Sequence, residues 1–412
     1  MNHNFLIYGN FVCLRQFYPD EIPFGLSMFL NDFCLLALLL TLPRPLGIMI
    51  LMTNKEVLFM KRIVLTGGGT AGHVSPNQAL IPLLLQEGWE IHYIGTKAGI
   101  ERSLIEPMQG VTYHAVSSGK LRRYFDWKNF TDPFRVIAGM LQSFTIIRKL
   151  NPSIVFSKGG FVSVPVVVGG WLCGVPVVMH ESDITPGLAN KLCKPFARAV
   201  CTTFPECTKL LGAKGVQTGT PLRAQIFSGD RAKGLEMTGF DGSKPILMMI
   251  GGSLGAQTVN AVLRESLPLL LEKYNVLHVC GKGNLAPELE ATAGYRQFEY
   301  LSAELPDAFA CADIVLSRAG SNSLSELMAL RKPALLIPYH SGRGDQVLNA
   351  NSLKSRGLAH VMIQADMNAQ SLPKAIDALW EEKDLLVQRL SALDDADGTQ
   401  AVLAQIHKHA KA

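Results

Sequence analysis

From Met60 onward, short β-branched and apolar runs alternate with stretches whose apolar positions recur at helical spacing. The runs at 62–66, 90–94, 111–116, 153–156, 175–179 and 197–202 predict six strands in a first half. Those at 245–251, 275–281, 296–301, 313–317, 333–338 and 359–363 predict six more in a second half. Most are apolar throughout rather than alternating, and helical patterns separate them. Such strands belong to parallel sheets covered by helices on both faces. The expected fold class is α/β, with two Rossmann-like doubly wound parallel-sheet domains and a cleft between them. The break falls near 216–225, where turn residues follow a strand-like end, so the domains read as 60–222 and 223–397.

Residues 1–59 break this pattern. Their apolar run Phe33–Leu42 spans only about 15 Å as a helix, half of a bilayer core of about 30 Å. Asp20 and Glu21 precede it and no small-residue cleavage site follows, which argues against a signal peptide. The segment reads as an upstream extension, with a short hydrophobic anchor as the alternative. Charge then separates the rest. Of the net +5, residues 1–59 carry −1, residues 60–222 carry +8 and residues 223–412 carry −2, so the first half is the one suited to an anionic surface. The eight cysteines form no CxxC and no metal-like spacing, which fits a reducing cytosol better than a disulfide framework; no metal site and no cofactor is expected.

Each half opens with a strand running into a glycine-rich loop, Gly67–His73 and Gly251–Ala256. Gly67-x-Gly69-x-x-Gly72 matches the dinucleotide fingerprint, which directs a helix N-terminus at negative charge. A dinucleotide site also needs an acid at the end of the second strand. That strand is followed by no carboxylate before Glu101, which counts against NAD or FAD. In the second half a strand ends at Ser317, Arg318–Gly320 turn, and Ser321–Ser323 begin a helix whose first N–H groups are free for phosphate. Glu326 sits one turn further in, where a carboxylate can accept from two ribose hydroxyls. A capping box formed by Ser321 or Ser323 with Glu326 explains the same spacing equally well. Gln346 follows the next strand and can project into the same cleft.

Seven segments together resemble the MurG family of N-acetylglucosaminyltransferases, in the family's order: GGGTAGHVSPNQAL (67–80), KGGFVSVP (158–165), HESDITPGLANK (180–191), TGTPLR (218–223), GGSLGAQTVN (251–260), RAGSNSLSE (318–326) and DQVLNA (345–350). The resemblance runs from about Met60 to the C-terminus. It implies the GT-B fold, with the last helix, about 398–412, crossing back to the first domain. It also implies metal-independent, inverting transfer of N-acetylglucosamine from UDP-GlcNAc to lipid I, the undecaprenyl-diphospho-muramoyl peptide, giving lipid II on the cytoplasmic face of the bacterial membrane.

The resemblance further implies roles for single residues. Leu301 reads the uracil through its backbone, Glu326 holds the ribose, and Gln346 holds the sugar hydroxyls. Ser253, Arg318, Ser321, Asn322 and Ser323 surround the diphosphate. Thr70, Ala71 and Gly72 face the donor from the first half, and Arg223 lies at the domain junction. His73 is the first candidate for the general base, because imidazole titrates near neutral pH. A helix-start histidine contacting diphosphate or backbone is the alternative, and His180, Glu181 and then Asp183 are the other candidates. The chain departs from the family at Ala71 (commonly TGGH), at Ser182 and Asp183 (commonly HEQN), and at 321–323 (commonly ALT). Asp183 is the expected acceptor contact.

Gly119–Arg135 interleaves Leu121, Tyr124, Phe125, Trp127, Phe130 and Phe134 with Lys120, Arg122, Arg123, Lys128 and Arg135, for a net +3. Aromatic groups among basic ones suit a headgroup boundary, which implies peripheral docking on anionic inner-leaflet lipids. No nucleic-acid motif accompanies the patch, so nucleic acid is not an expected partner. Three rival functions share much of the pattern: a diacylglycerol glucosyltransferase, a UDP-GlcNAc 2-epimerase, and a non-catalytic lipid or nucleotide-sugar binding subunit.

Overall fold

The computed structural model describes residues 61–119, 128–252, 256–340, 343–393 and 396–411, and the side chains of all of these except 128–133. The extension 1–59, Ser253 and most of the aromatic and basic segment lie outside the described residues. Lys61–Ala412 is one compact unit.

The first half is a seven-stranded sheet of β1 (Arg62–Thr66), β2 (Glu90–Thr96), β3 (Val111–Val116), β4 (Ile154–Ser157), β5 (Val177–Glu181), β6 (Ala199–Thr202) and β7 (Gly215–Gln217). Its order is β3-β2-β1-β4-β5-β6-β7. The second half is a six-stranded sheet of β8 (Ile246–Ile250), β9 (Asn275–Val279), β10 (Tyr295–Phe298), β11 (Ile314–Ser317), β12 (Ala334–Leu336) and β13 (His360–Val361), in the order β10-β9-β8-β11-β12-β13. Every pairing is parallel. All twelve expected strands are present. The strand-like end near 216 is the short edge strand β7, whose three residues offer too little apolar pattern to mark a full strand.

The apolar runs have the cause the sequence suggested. β4 is buried along its whole length, as is β5. On one face of the first sheet Ile63, Leu65 and Phe156 pack with Leu80 and Leu84 of helix Ser75–Gln86 and with Val402, Leu403 and Ile406 of helix Thr399–His409. On the other face, Val64, Val155 and Met179 belong to a cluster that continues through Ile184, Leu222 and Ile226 into Met248, Val315 and Leu324 of the second half. The two halves therefore share apolar core.

The chain crosses between the halves twice, and the crossings are tied together. The Gly398 N–H donates to the Thr220 carbonyl (3.0 Å), and the Leu222 N–H donates to Thr399 Oγ1 (3.1 Å). A Cβ on Gly398 would lie 2.3 Å from the Gly219 carbonyl carbon, so no other residue fits there.

In each sheet the strand order reverses between two neighbours, β1 and β4 in the first and β8 and β11 in the second. Ligands of such sheets bind beyond the carboxyl ends of the strands at this switch point. Four of the sequence motifs emerge there: Gly67–His73 and the segment from Lys158 in the first half, Gly251–Gly252 and Arg318–Ser323 in the second.

Candidate active site

The first loop is held from beneath. The Glu101 carboxylate is fully buried; it accepts from the Gly69 N–H (3.1 Å) and the Thr96 N–H (3.0 Å), and the Thr96 hydroxyl bonds to it as well. A Cβ on Gly68 would lie 2.6 Å from this carboxylate. Gly69 has φ +86°, and a Cβ there would meet the Phe161 ring at 2.5 Å. These two glycines thus serve the loop's own packing, and the Gly69 N–H points inward rather than toward a ligand. Thr70 and Ala71 are exposed beyond it, Gly72 and His73 are half-buried, and His73 Nδ1 lies 2.9 Å from Thr70 Oγ1. Burial pushes the His73 pKa down to about 4, with the nearby charges of Lys158 and Arg343 adding to the effect.

Sequence reading treated Glu101 only as an acid too late for a dinucleotide, and its role under the loop was missed. The available signal was a lone carboxylate opening the helix Ile100–Ile105 beside the loop. Glu101→Ala is expected to lower the unfolding free energy by about 1–3 kcal/mol, because buried donors lose their acceptor. Turnover should fall with it as Thr70 and His73 lose their fixed base. Thermal unfolding and steady-state kinetics on the same preparation would check both.

The second half supplies helix Ser321–Ala329, whose N-cap is Gly320, with no side-chain capping bond. The capping-box alternative is therefore not realised. The Glu326 carboxylate accepts no hydrogen bond from any described residue; burial raises its pKa, and Arg223 partly opposes this. Arg318 donates to the Ile337 carbonyl (3.0 Å) and lies over the Tyr339 ring at 5.4 Å. Gln346 Oε1 accepts from the Tyr339 N–H (3.0 Å), so Arg318, Tyr339 and Gln346 form one wall. Leu301 is buried just past β10, and its backbone N–H and C=O pair with no described residue.

The halves meet at these loops. Asn322 Nδ2 donates to the Gly72 carbonyl (3.1 Å), joining the first glycine loop to the helix start of the second half. Asp183 accepts from Arg343 Nη2 (3.3 Å) and Asn349 Nδ2 (3.2 Å), while Thr185 Oγ1 donates to Asp345 (2.7 Å). Asp183, expected at the acceptor, is thus also tied to the segment that carries Gln346. Two other base candidates are engaged elsewhere. His180 is fully buried with Nε2 on the Gly219 carbonyl (2.9 Å). Glu181 accepts from the N–H groups of Asp183 and Gly187 and from Asn190 Nδ2.

Two Rossmann-like sheets meeting across a cleft, each presenting a glycine loop at its switch point, define the GT-B fold. Family models for the glycosyltransferase family 28 N-terminal and C-terminal domains match residues 63–202 and 246–402. The chain belongs to glycosyltransferase family 28. It is 52% identical over 354 residues to the UDP-N-acetylglucosamine--N-acetylmuramyl-(pentapeptide) pyrophosphoryl-undecaprenol N-acetylglucosamine transferase of Geobacillus thermodenitrificans, covering 85% of this chain and 99% of that one. A Clostridium botulinum protein of the same name is 49% identical, covering 85% and 100%. Among solved structures, Acinetobacter baumannii MurG superposes with a TM-score of 0.68 at 23% identity, covering 84% and 99%. A putative UDP-N-acetylglucosamine 2-epimerase from Listeria monocytogenes shares the fold at a TM-score of 0.63 and 13% identity, covering 85% and 97%.

Proposed function

We propose that this chain is the hexosyltransferase that moves N-acetylglucosamine from UDP-GlcNAc to the muramoyl-peptide sugar of lipid I, forming lipid II with inversion at the anomeric carbon. The observation that carries the reading is the Asn322–Gly72 contact, which joins the His73 loop to the uncapped helix start one turn from Glu326. In this reading Glu326 takes the ribose hydroxyls, Leu301 the uracil and Gln346 the sugar. The free N–H groups of Ser321, Asn322 and Ser323, with Ser253, Arg318 and Arg223, offset the charge that builds on the departing diphosphate. Thr70, Ala71 and Gly72 line the opposite wall, and Asp183 lies on the acceptor side.

His73 takes the proton of the attacking hydroxyl. Uncharged at neutral pH, it acts as a base at Nε2 when Nδ1–H donates to Thr70 Oγ1, so Thr70 fixes the productive tautomer. An epimerase would need free cleft carboxylates for proton transfer. Glu326 is given to the ribose in this reading, Glu181 is committed to three donors and Asp183 to two, which favours transfer over epimerisation. Purified protein incubated with labelled UDP-GlcNAc and a lipid I analogue should yield the disaccharide lipid. Absence of that product would refute the assignment, and turnover of diacylglycerol instead would move it to a different acceptor class.

The enzyme works as a peripheral protein on the cytoplasmic face, docked on anionic lipids through the first half. Among the described residues no helix is long and apolar enough to cross a membrane. Helix Lys128–Leu150 exposes Phe134 (74%), Ile137 (55%) and Leu141 (65%), a stripe at helical spacing that extends the aromatic and basic segment. Replacing all three by serine should abolish binding to phosphatidylglycerol vesicles in a flotation assay. Turnover of a short-chain, water-soluble acceptor should stay at the wild-type level; undiminished flotation would remove this surface as the docking face.

A further inference from the structure

One helix of the second half is bonded to the first half along a whole face. Helix Asp345–Ser355 carries Gln346 in its first turn. Asp345, Asn349 and Ser352 recur at helical spacing and share one face. Each is tied to the first half. Thr185 Oγ1 donates to Asp345 (2.7 Å), the Ile184 N–H donates to Asn349 Oδ1 (3.3 Å), and Ser352 Oγ donates to Glu206 Oε1 (2.6 Å). Thr185 and Ile184 adjoin Asp183 on the acceptor side. Glu206, in the first turn of helix Pro205–Leu211, has no part in the reaction as described.

The Glu206–Ser352 bond is a weak device for stability. Glu206 Oε2 is buried and has no partner among the described residues, so the carboxylate is only half satisfied. With the halves apart, water would reach both oxygens. Joining the halves exchanges that water for one charge-assisted bond and one unmet acceptor, effects of similar size and opposite sign. A contact balanced in this way is made and broken readily, as a cleft that must release its products requires. It still demands exact placement, because Ser352 is 5% exposed and meets Glu206 only when the far end of the helix is seated.

Ser352 lies six residues beyond Gln346, about 9 Å along the helix axis. A helix is stiff over that length, so seating Ser352 sets the angle at which Gln346 enters the cleft. The bond touches none of the groups given to uracil, ribose or diphosphate. We propose that Glu206 is a positioning residue for the donor sugar: by seating Ser352 it fixes the far end of the helix whose first turn presents Gln346, so the sugar hydroxyls are met only when the halves are joined.

This role for Glu206 rests on Gln346 as the sugar contact, and the test separates sugar from nucleotide. Full-length protein is titrated calorimetrically with UDP-GlcNAc and with UDP, which needs neither acceptor nor turnover. Ser352→Ala leaves Glu206 buried with no donor, so UDP-GlcNAc should bind about 10–100-fold more weakly, while UDP stays within about twofold of wild type. Glu206→Gln keeps an acceptor for Ser352 and should bind both ligands as wild type does. The double variant Ser352→Ala/Glu206→Ala leaves no carboxylate unpaired and should bind UDP-GlcNAc more tightly than Ser352→Ala alone. Equal weakening of UDP and UDP-GlcNAc overturns the proposal, because a merely structural bond would affect both. A double variant weaker than Ser352→Ala overturns it as well. Gln346→Ala separates the two layers of the reading. Unchanged UDP-GlcNAc affinity in Gln346→Ala removes the sugar contact and the role of Glu206 with it. Weakened binding there, beside unchanged binding in Ser352→Ala, removes the role of Glu206 alone.

Discussion

Glu326→Ala should lose about two to three orders of magnitude in kcat/KM for UDP-GlcNAc while remaining at least as stable as the wild type. The loss follows from two hydrogen bonds to a charged acceptor, each worth about 1.5–3 kcal/mol when the donors are otherwise left unpaired. The retained stability follows from the free protein, in which Glu326 is half-buried and its carboxylate accepts from no described residue. Removing a charge that burial disfavours does not destabilise the fold. The sign with pH is definite. Native Glu326 holds its proton at pH values where the unfolded chain has already lost it, so its contribution to stability falls as pH rises through that window. Glu326→Gln should therefore gain stability over wild type at neutral pH and gain nothing below the ordinary carboxylate range. Calorimetry across pH, with donor kinetics on the same variants, reads both. A variant that is destabilised and still binds donor normally would make Glu326 a structural residue.

His73→Gln is the second large effect, with kcat expected to fall about 10²–10³-fold, the usual contribution of a positioned base. Glutamine keeps a hydrogen-bonding group at the helix start but cannot take a proton at neutral pH. It therefore separates proton transfer from a simple contact with diphosphate, which it would largely preserve. The wild-type profile carries a further sign. Burial and two cations push the pKa to about 4, so the imidazole is already unprotonated well below 6.5. Between pH 5 and 8, kcat/KM should show no histidine inflection, and the acid limb should appear near 4. Nearly unchanged turnover in the variant would exclude the base role.

The same physics explains what could and could not be read from sequence. Parallel sheets with both faces covered leave long apolar runs, so twelve strands and both switch-point loops were legible. β7 is too short to leave such a run. The Glu326 alternative was undecidable because a ribose ligand and a capping box want the same spacing. Only the observed start at Gly320 separates them. Asn322 and Asp183 looked like departures from a family pattern. Their partners lie 250 residues away at Gly72 and about 160 away at Arg343 and Asn349, and no local periodicity reports such pairs. Glu101 was visible as a residue, but its meaning depends on the inward Gly69 N–H, which only the folded loop reveals.

Helix Thr399–His409 carries a consequence for biosynthesis. Val402, Leu403 and Ile406 belong to the same cluster as Ile63, Leu65, Ile154 and Phe156, so the first domain is completed only by residues made after the whole of the second. Throughout synthesis of the second domain, one face of the first sheet is left without its final cover. The nascent chain therefore presents a long-lived apolar surface of the kind that chaperones bind and that aggregates nucleate on. A ribosome stalled before residue 399 would release not a half-enzyme but an unfinished core.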